Sequence, residues 1–532
     1  MSLPSLMRRL PDQEAFPLYG VAATRQMESA LAGSQPPHEL MARAGLALAQ
    51  LTLALHPHAR TLWVACGPGN NGGDALVAAL HLAQWRRQTG AGPVVFISRC
   101  PGGQAPMDTT WALAQLEAAG LPIHTSPPDE WDVAIDGLLG IGVRQAPAGL
   151  LATHWSALFG ADRPVVCVDV PSGLNADTGQ WLMPEGFVLQ PCRAPRHTLT
   201  MLTAKPGLFT ADGRDAAGQV WLAPLGPDLP PSDLPDAWLG AASSLPPLRM
   251  HASHKGSQGD VMVIGGQGMG STGIGMTGAG VLAARTALLA GAGRVYLGLL
   301  GGPEGNPAWD PLQPELMLRT PEQLVTPPML ETAVTVCGCG GGKAVARWLP
   351  SILAHARRLV LDADALNELA ADSDGLHRLR WRASQGWLTV LTPHPLEAAR
   401  LLGCTSTGIQ RDRLAAARRL AAETGAICVL KGSGTIVAAP DTTPVINATG
   451  NPALATAGTG DVLAGLVGSM LAQPGSDGAA SFRTVARAVM LHGLAADRLA
   501  CQPPGQPITA SSLAQALGSG PWRTQVSSMS PT

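Results

Sequence analysis

The chain has 532 residues, a net charge of −2, 46% hydrophobic residues and only 14% charged ones. That length exceeds one ordinary core and points to roughly two to four domains, while the near-neutral charge excludes a global field drawing the protein to nucleic acid or anionic lipid. Glycine (63) and proline (46) stay below the share typical of disorder, and only four of the 36 basic residues are lysines: Lys205, Lys255, Lys343 and Lys431.

Arg8 and Arg9 precede Leu10-Pro11-Asp12-Gln13-Glu14 rather than an apolar stretch, so no twin-arginine signal is expected. The stretch His38–Leu55 carries Leu40, Ala44, Leu48 and Leu51 on one helical face. Apolar runs at Thr61–Cys66, Pro93–Ser98, Trp131–Gly140 and Val165–Val170 alternate with helical segments at Ala75–Trp85 and Thr109–Ala119. This rhythm predicts a parallel sheet covered on both faces. Leu225–Met250 contains six prolines and reads as a semi-rigid linker. The rhythm then resumes, with strands predicted at Asp260–Gly266, Arg294–Leu300, Ala333–Gly338, Arg358–Asp362, Leu388–Thr392 and Ala426–Lys431, and helices from Asp461 and Ser481. Residues from about Gly518 read as a disordered tail.

No membrane span is expected. The best candidate, Val281–Leu300, is broken by Arg285 and Arg294, whereas roughly 18 uninterrupted apolar residues are needed. Nine cysteines without a CxxC pair suggest buried reduced thiols and a cytoplasmic location rather than a disulfide framework or zinc site. Cys337 and Cys339, two residues apart with no other ligand evident nearby, are not read as a metal site.

The segment Gly67-Pro68-Gly69-Asn70-Asn71-Gly72-Gly73-Asp74 follows a predicted strand and precedes a helix. Its glycines permit close approach of a ligand to backbone, and a helix N-terminus favours an anion. The asparagine amide oxygens suit a hard cation. Asp136, Asp169 with Ser172, and Lys205-Pro206-Gly207 fall at C-terminal strand ends, the edge where open α/β sheets bind ligands. A carboxylate there needs a partner. A cation between Asn71, Asp136 and Ser172 would supply one, leaving Asp169 free as an acid/base.

In the second half, Ala457-Gly458-Thr459-Gly460-Asp461 opens an apolar helix. Its N–H groups can cradle a phosphate, and Asp461 is placed to take a proton from the oxygen receiving a phosphoryl group. Lys431-Gly432-Ser433-Gly434-Thr435 forms a turn with a cation and two hydroxyls, suited to nucleotide phosphates or ribose. His394 is fixed between two prolines, which favours a positioned side chain, and one residue of Asp362-Ala363-Asp364 is expected to cap a helix.

Residues 15–225, with Arg25-Gln26-Met27, Leu40–Gly45, the GNNGGD loop, the Asp136 segment and VDVPSGLNADTG, resemble the NAD(P)H-hydrate epimerase domain. The resemblance implies a potassium ion near Asn71, Asp136 and Ser172. It also implies a hydrated nicotinamide nucleotide along Asn70, Asn71, Gly72, Gly73 and Asp74, along Gly140, Ile141, Gly142, Val143, Arg144, Gln145 and Ala146, and against Asp169. Ala75 stands where the family usually has Gly, a methyl expected to narrow the pocket slightly. Residues 250–515 resemble the ADP-dependent NAD(P)H-hydrate dehydratase domain of the ribokinase-like group, through His254-Lys255-Gly256, LDADAL, TPHPLE, VLKGSGT and AGTGDVLAG. That resemblance implies a nucleoside phosphate across Lys431–Thr435 and Gly460, with magnesium, and a hydrate touching Ala279, Gly340, His394 and Asp461. Cys339, Leu396 and Ala457 depart from the family pattern, Ala457 requiring a negative φ where Gly is usual.

Together the halves resemble the bifunctional NAD(P)H-hydrate repair enzymes. The expected architecture is α/β: a Rossmann-like three-layer epimerase domain (1–225), a linker (226–250), a ribokinase-like dehydratase domain (251–517) and a tail (518–532). The expected ligands are NADHX or NADPHX and ADP or ATP, and a homo-oligomer is expected. The alternative is a ribokinase-type vitamin-precursor kinase fused to a non-catalytic epimerase-like binding domain.

Overall fold

The computed structural model describes residues 7–11, 14–188, 192–226, 234–240, 251–269, 274–301, 309–476, 478–501 and 507–520. They form two compact units, with the break between Ala237 and Trp238. Among these residues no helix is long and apolar enough to cross a membrane.

The first unit is built on eight strands: β1 (Arg8–Leu10), β2 (Thr61–Cys66), β3 (Val94–Arg99), β4 (Ile123–His124), β5 (Val133–Gly137), β6 (Val165–Val168), β7 (Arg196–Met201) and β8 (Gln219–Ala223). Their order is β1-β8-β7-β6-β5-β2-β3-β4, parallel except for β1 against β8. Every residue of β5 and β6 is buried, as is all of β2 after Thr61. Such unbroken burial is what a parallel sheet covered on both faces requires, and it explains why these strands read as continuous apolar runs. Helices α1 (Val21–Gly33), α2 (Glu39–Leu55), α3 (Asn70–Thr89), α4 (Met107–Ala118) and α5 (Leu150–Gly160) belong to this unit. Leu48, Leu76, Leu82, Ala112 and Leu116 from the helices share one core with Val64, Ile135 and Val166 from the strands.

In the second unit the strands are β9 (Ala237–Leu239), β10 (Asp260–Gly265), β11 (Arg294–Leu299), β12 (Met317–Leu318), β13 (Val334–Cys337), β14 (Arg358–Leu361), β15 (Leu388–Leu391), β16 (Ile427–Leu430), β17 (Ile436–Ala439) and β18 (Thr442–Ile446). They run β12-β11-β10-β13-β14-β15-β16-β17-β18-β9. Pairing is parallel from β12 to β16, then antiparallel through the β16–β17 and β17–β18 hairpins. Helices α6 (Thr277–Leu289), α7 (Asp364–Ala371), α8 (Pro395–Leu402), α9 (Arg413–Thr424), α10 (Thr459–Ala472), α11 (Ala479–Ala500) and α12 (Ala510–Ser519) complete the part relevant to the site. Apolar residues of α6, α10, α11 and α12 share a core with Val261, Val336, Val360 and Val390 from the sheet.

Two expectations are corrected. Residues 227–233 and 241–250 of the expected linker lie outside the described residues, but between them β9 is a strand whose Trp238 and Leu239 pair with Val445 and Ile446. The expected tail begins inside α12, which runs to Ser519, and residues 521–532 lie outside the described set.

Gly67 shows how tightly the β2–α3 turn is built, because a Cβ there would stand 1.7 Å from the Leu138 carbonyl oxygen. Gly67→Ala is therefore expected to cost about 1–3 kcal/mol or more through forced backbone displacement. The check is a lower urea midpoint for the first unit.

Candidate active sites

In the first unit, α3 starts at Asn70, not after Asp74, so the paired asparagines and Asp74 occupy its first two turns. Gly72 makes this possible, since a Cβ there would meet the Gly67 carbonyl oxygen at 2.2 Å. Gly73 is also close-packed, since a Cβ there would lie 2.4 Å from the terminal methyl of the flexible Met41 side chain. Both glycines are buried packing positions. A cavity of about 730 Å3 lies above them and is lined by Asn70, Asn71, Asp74, Gly140, Ile141, Gly142, Val143 and Asp169. Arg144, Gln145 and Ala146 are exposed and are not part of this lining. The Ala75 methyl does not narrow the cavity, contrary to expectation. It is fully buried, facing Gly137 at the end of β5.

Asn71, Asp136 and Ser172 do converge. Asp136 is fully buried and accepts from the Ser172 hydroxyl at 2.6 Å, the Ser172 N–H at 2.8 Å and the Leu138 N–H at 3.2 Å. The Leu139 N–H donates to Ser172 Oγ at 2.8 Å, and Asn71 Nδ2 donates to the Leu139 carbonyl at 3.1 Å. Burial lifts the Asp136 carboxyl above its ordinary range, although the Ser172 donors oppose it. The Ser172 carbonyl is pinned by the indole N–H groups of Trp155 and Trp181 at 2.7 and 3.1 Å.

Asp169 is not free. It follows β6 with φ of 63°, in the left-handed region, a costly conformation for a residue with a side chain and one that clusters at active sites. Its Oδ1 accepts from the Lys205 ammonium and from the Met201 N–H at 3.0 Å. Lys205 is fully buried and also donates to Thr200 Oγ1 at 3.1 Å and the Met201 carbonyl at 2.8 Å. Sequence reasoning flagged Lys205 by its scarcity and by its place at a ligand-binding strand end, but assigned it no role. It missed Glu28 altogether, although Arg25-Gln26-Met27 immediately precedes it. Glu28 lines the cavity, and burial followed by the Asp169 charge raises its pKa. Burial, then Asp169, Glu28 and Asp108, raises the pKa of Asp74 well above the usual carboxylate range.

In the second unit the site gathers at strand ends and the head of α10. Gly458 takes the left-handed conformation, φ 87°, just before Thr459 opens the helix. Ala457 is absent from the non-glycine residues with positive φ, as its methyl requires. A Cβ on Gly460 would lie 3.4 Å from Lys431 Nζ, which places that glycine over the lysine. The Lys431 ammonium does not reach outward from its turn. It pairs with Asp362 at 2.7 Å and approaches Glu397 at 3.9 Å. Burial opposes its charge, but Asp362 and Glu397 outweigh burial and raise its pKa. Within the turn, the Thr435 hydroxyl donates to the Gly432 carbonyl at 3.0 Å, and Ser433 is exposed.

Neither aspartate of Asp362-Ala363-Asp364 caps α7. The cap position is Ala363, while Asp362 is the partner of Lys431 and Asp364 accepts from the Gly342 N–H at 2.8 Å. His394 is fixed as expected: Nδ1 accepts from the N–H groups of Leu396 and Glu397, and Nε2 lies 3.1 Å from Glu397 Oε1. Leu396 points outward and is exposed. Gly340, with φ of 57°, abuts Ala279, whose methyl would sit 2.7 Å from an added Cβ. Cys339 is not isolated from other ligand-type groups: its Sγ and one carboxylate oxygen from each of Asp362 and Asp461 lie within 4.8 Å of one another. Burial and then Asp362 lift Asp461 to about 6, against the pull of Cys339 and Lys431. Behind it, buried His492 faces the Thr459 carbonyl at 2.9 Å, and burial lowers its pKa to about 4.

A lysine-backed carboxylate in a cavity, and an aspartate of raised pKa at a glycine-loop helix N-terminus, give an α/β protein with two candidate active sites. Comparison with known proteins agrees. The family described as YjeF-related protein N-terminus matches residues 37–207, and that described as NAD(P)H-hydrate dehydratase matches 261–517. The Escherichia coli bifunctional NAD(P)H-hydrate repair enzyme Nnr is 35% identical over 487 residues, covering 87% of this chain and 86% of that protein. The bifunctional repair enzyme of Leishmania braziliensis is 34% identical, covering 91% and 90%. The ADP-dependent (S)-NAD(P)H-hydrate dehydratase of Neisseria meningitidis is 42% identical over 257 residues, 47% of this chain and 80% of that one. The solved ADP/ATP-dependent NAD(P)H-hydrate dehydratase of Bacillus subtilis is 26% identical with a TM-score of 0.41, covering 51% of this chain and 92% of that one. The chain belongs to the family of bifunctional NAD(P)H-hydrate repair enzymes and carries its epimerase and dehydratase domains.

Removing one partner of a buried ion pair strands the other's charge. Lys205→Met is expected to destabilise the first unit by roughly 3–5 kcal/mol. Chemical denaturation compared with a Lys255→Met control, at an exposed lysine, measures it.

Proposed function

We propose that this chain repairs hydrated NADH and NADPH in two steps. The first unit interconverts the R and S hydrates. The second dehydrates the S form with ADP, or ATP in its place, as phosphoryl donor. The observation that carries the reading is the presence in one chain of the Asp169–Lys205 cavity and of Asp461 beyond a glycine loop. The family matches support an epimerase domain within residues 1–225 and a dehydratase domain within 251–517.

For the epimerase, Asp169 is the acid/base: it takes the proton of the hydroxyl as the ring C–N bond opens to leave an aldehyde and the electron pair on nitrogen, and it returns the proton to the oxygen when that nitrogen re-adds to the opposite face, with Lys205 alongside. Asn70, Asn71, Asp74 and Gly140–Val143 line the substrate's place. The donor set of Asn71, Asp136 and Ser172 is made of oxygens, which fits a potassium ion. That ion would supply positive charge beside Asp136.

For the dehydratase, Asp461 takes the proton of the S-hydrate hydroxyl, and that oxygen bonds to the β-phosphorus of ADP as the bond to AMP breaks. Phosphate then departs with its oxygen, and loss of a proton from the adjacent ring carbon restores the double bond. The N–H groups of Gly458–Gly460 steady the transferred phosphoryl, and Lys431–Thr435 border the nucleotide. Ala279, Gly340 and His394 are assigned to the hydrate. Buried Asp362 and Glu397 are already matched by Lys431, so magnesium is assigned to the nucleotide phosphates rather than to these side chains. Nine free cysteines, six of them buried, support a reducing, cytoplasmic setting.

The direct assay mixes the protein with both epimers and ADP and follows recovery of reduced-cofactor absorbance. Recovery of both is expected. Recovery of S alone sinks the epimerase assignment, and no recovery sinks both. Asp461→Asn is expected to abolish dehydration while leaving epimerisation intact.

The acid limb gives a further check. A base must be deprotonated to act, so dehydration is expected to fall as pH drops through about 6, the range to which burial lifts Asp461. A kcat profile that stays flat from pH 7 to 4.5 rules out Asp461 as the base.

A further inference from the structure

The thiol of Cys339 has no part in the steps above, yet it lies among their groups. It is fully buried within Gly338–Gly342, where φ is positive at Gly338, Gly340 and Gly342. The Gly266 N–H holds its carbonyl at 2.8 Å, and the Gln267 N–H holds that of Gly340 at 2.6 Å. Its Sγ is 3.9 Å from Asp362 Oδ2 and shares the 4.8 Å cluster with Asp461. Asp362 is already served on Oδ1 by Lys431 and by the Thr392 hydroxyl, both at 2.7 Å.

We infer that Cys339 is a positioning residue for phosphoryl transfer: its buried S–H, which donates to Asp362 Oδ2 and is shared with the Asp461 carboxylate oxygen in the same 4.8 Å cluster, keeps Asp461 oriented toward the substrate hydroxyl. This rests on the reading of Asp461 as the base. Burial, then the charges of Asp461 and Asp362, keeps the group a thiol rather than a thiolate, so it has a proton to donate. A thiol is a weak donor. It can orient a base without pinning its charge as an ammonium would, and Lys431 is directed to Asp362 and Glu397 instead. Other charges around Asp461 divide. Asp362 and Asp364 raise its pKa, while Lys431 and the thiol lower it. Glu397 and His394 stand across Lys431, and His492 stands behind Thr459.

The test uses the full chain with the S hydrate and ADP. Cys339→Ala, and Cys339→Val, which fills the space without a donor, are each expected to lower kcat about tenfold with KM for ADP unchanged. Both are expected to move the acid limb to higher pH, because a donor favouring the ionised carboxylate is gone. Cys339→Ser keeps a donor and is expected to restore both readouts. The inference is overturned if either donorless variant keeps the wild-type kcat and acid limb. It is equally overturned if a normally melting Ser variant is as impaired as the others. Wild-type rates from Asp461→Asn overturn the underlying assignment, and this inference with it.

Discussion

Each half of the protein is organised around a buried ammonium matched to a carboxylate just beyond a parallel strand. Lys205 meets Asp169 after β6, and Lys431 meets Asp362 after β14. Taking either charge out of water costs several kcal/mol, so neither partner is tolerable alone. The pair therefore fixes where both strand ends must lie. Around Lys205 it gathers Thr200 and Met201 from β7. Around Lys431 it draws in Thr392 after β15 and Glu397 in α8, and Glu397 in turn holds the His394 backbone N–H at 2.8 Å. Both clusters sit at the sheet edge where α/β folds bind ligands, so the same pairs that stabilise the edge also place the reactive groups.

The two clusters use the charge differently. In the first, the lysine is spent on the reactive carboxylate itself, so Asp169 stays in one orientation. In the second, the lysine is directed to Asp362 and Glu397, and Asp362 lies within 4.8 Å of the Asp461 carboxylate. Burial and then Asp362 lift Asp461 to about 6, close to working pH, which is where the proposed general base should lie. Asp74 is pushed the same way, by burial and then by the charges of Asp169, Glu28 and Asp108.

Much of this was legible in the chain. The central strands of both sheets read clearly because a fully buried strand is an unbroken apolar run, as in β6 and β16, whereas short edge strands such as β1, β4 and β12 did not. The glycine loops announced themselves through composition. The start of α3 did not, because Asn-Asn-Gly-Gly is a poor helix former; packing of Gly72 against the Gly67 carbonyl overrides that propensity. Strand β9 was hidden among prolines, its partner β18 lying some two hundred residues on. Asp362 was read only as one of two candidate helix caps, and Glu397 was given no role, because the lysine that meets them comes from another strand. Cys339 was judged by its neighbour Cys337, whereas its actual neighbours are carboxylates brought in by folding.

The scarcity of lysine has a structural sense. Lys255 and Lys343 are exposed, and nothing about their positions demands an ammonium. Lys205 is different: one nitrogen, three donors, and three oxygens converging on it from Asp169, Thr200 and the Met201 carbonyl. A planar guanidinium spreads its donors over a wide fork and cannot direct three of them to one point. Where the chain buries arginine, the acceptors are correspondingly dispersed. Arg413 reaches Gln410, the Leu430 carbonyl and the Lys431 carbonyl, and Arg382 spans Thr389, the Leu353 carbonyl and the Leu388 carbonyl. Arg413 thereby braces the backbone of the very lysine it could not replace. In this chain the choice between the two cations follows the geometry of the acceptors, and a compact acceptor set is what Asp169 with Thr200 and Met201 provides for Lys205 and what Asp362 with Glu397 provides for Lys431.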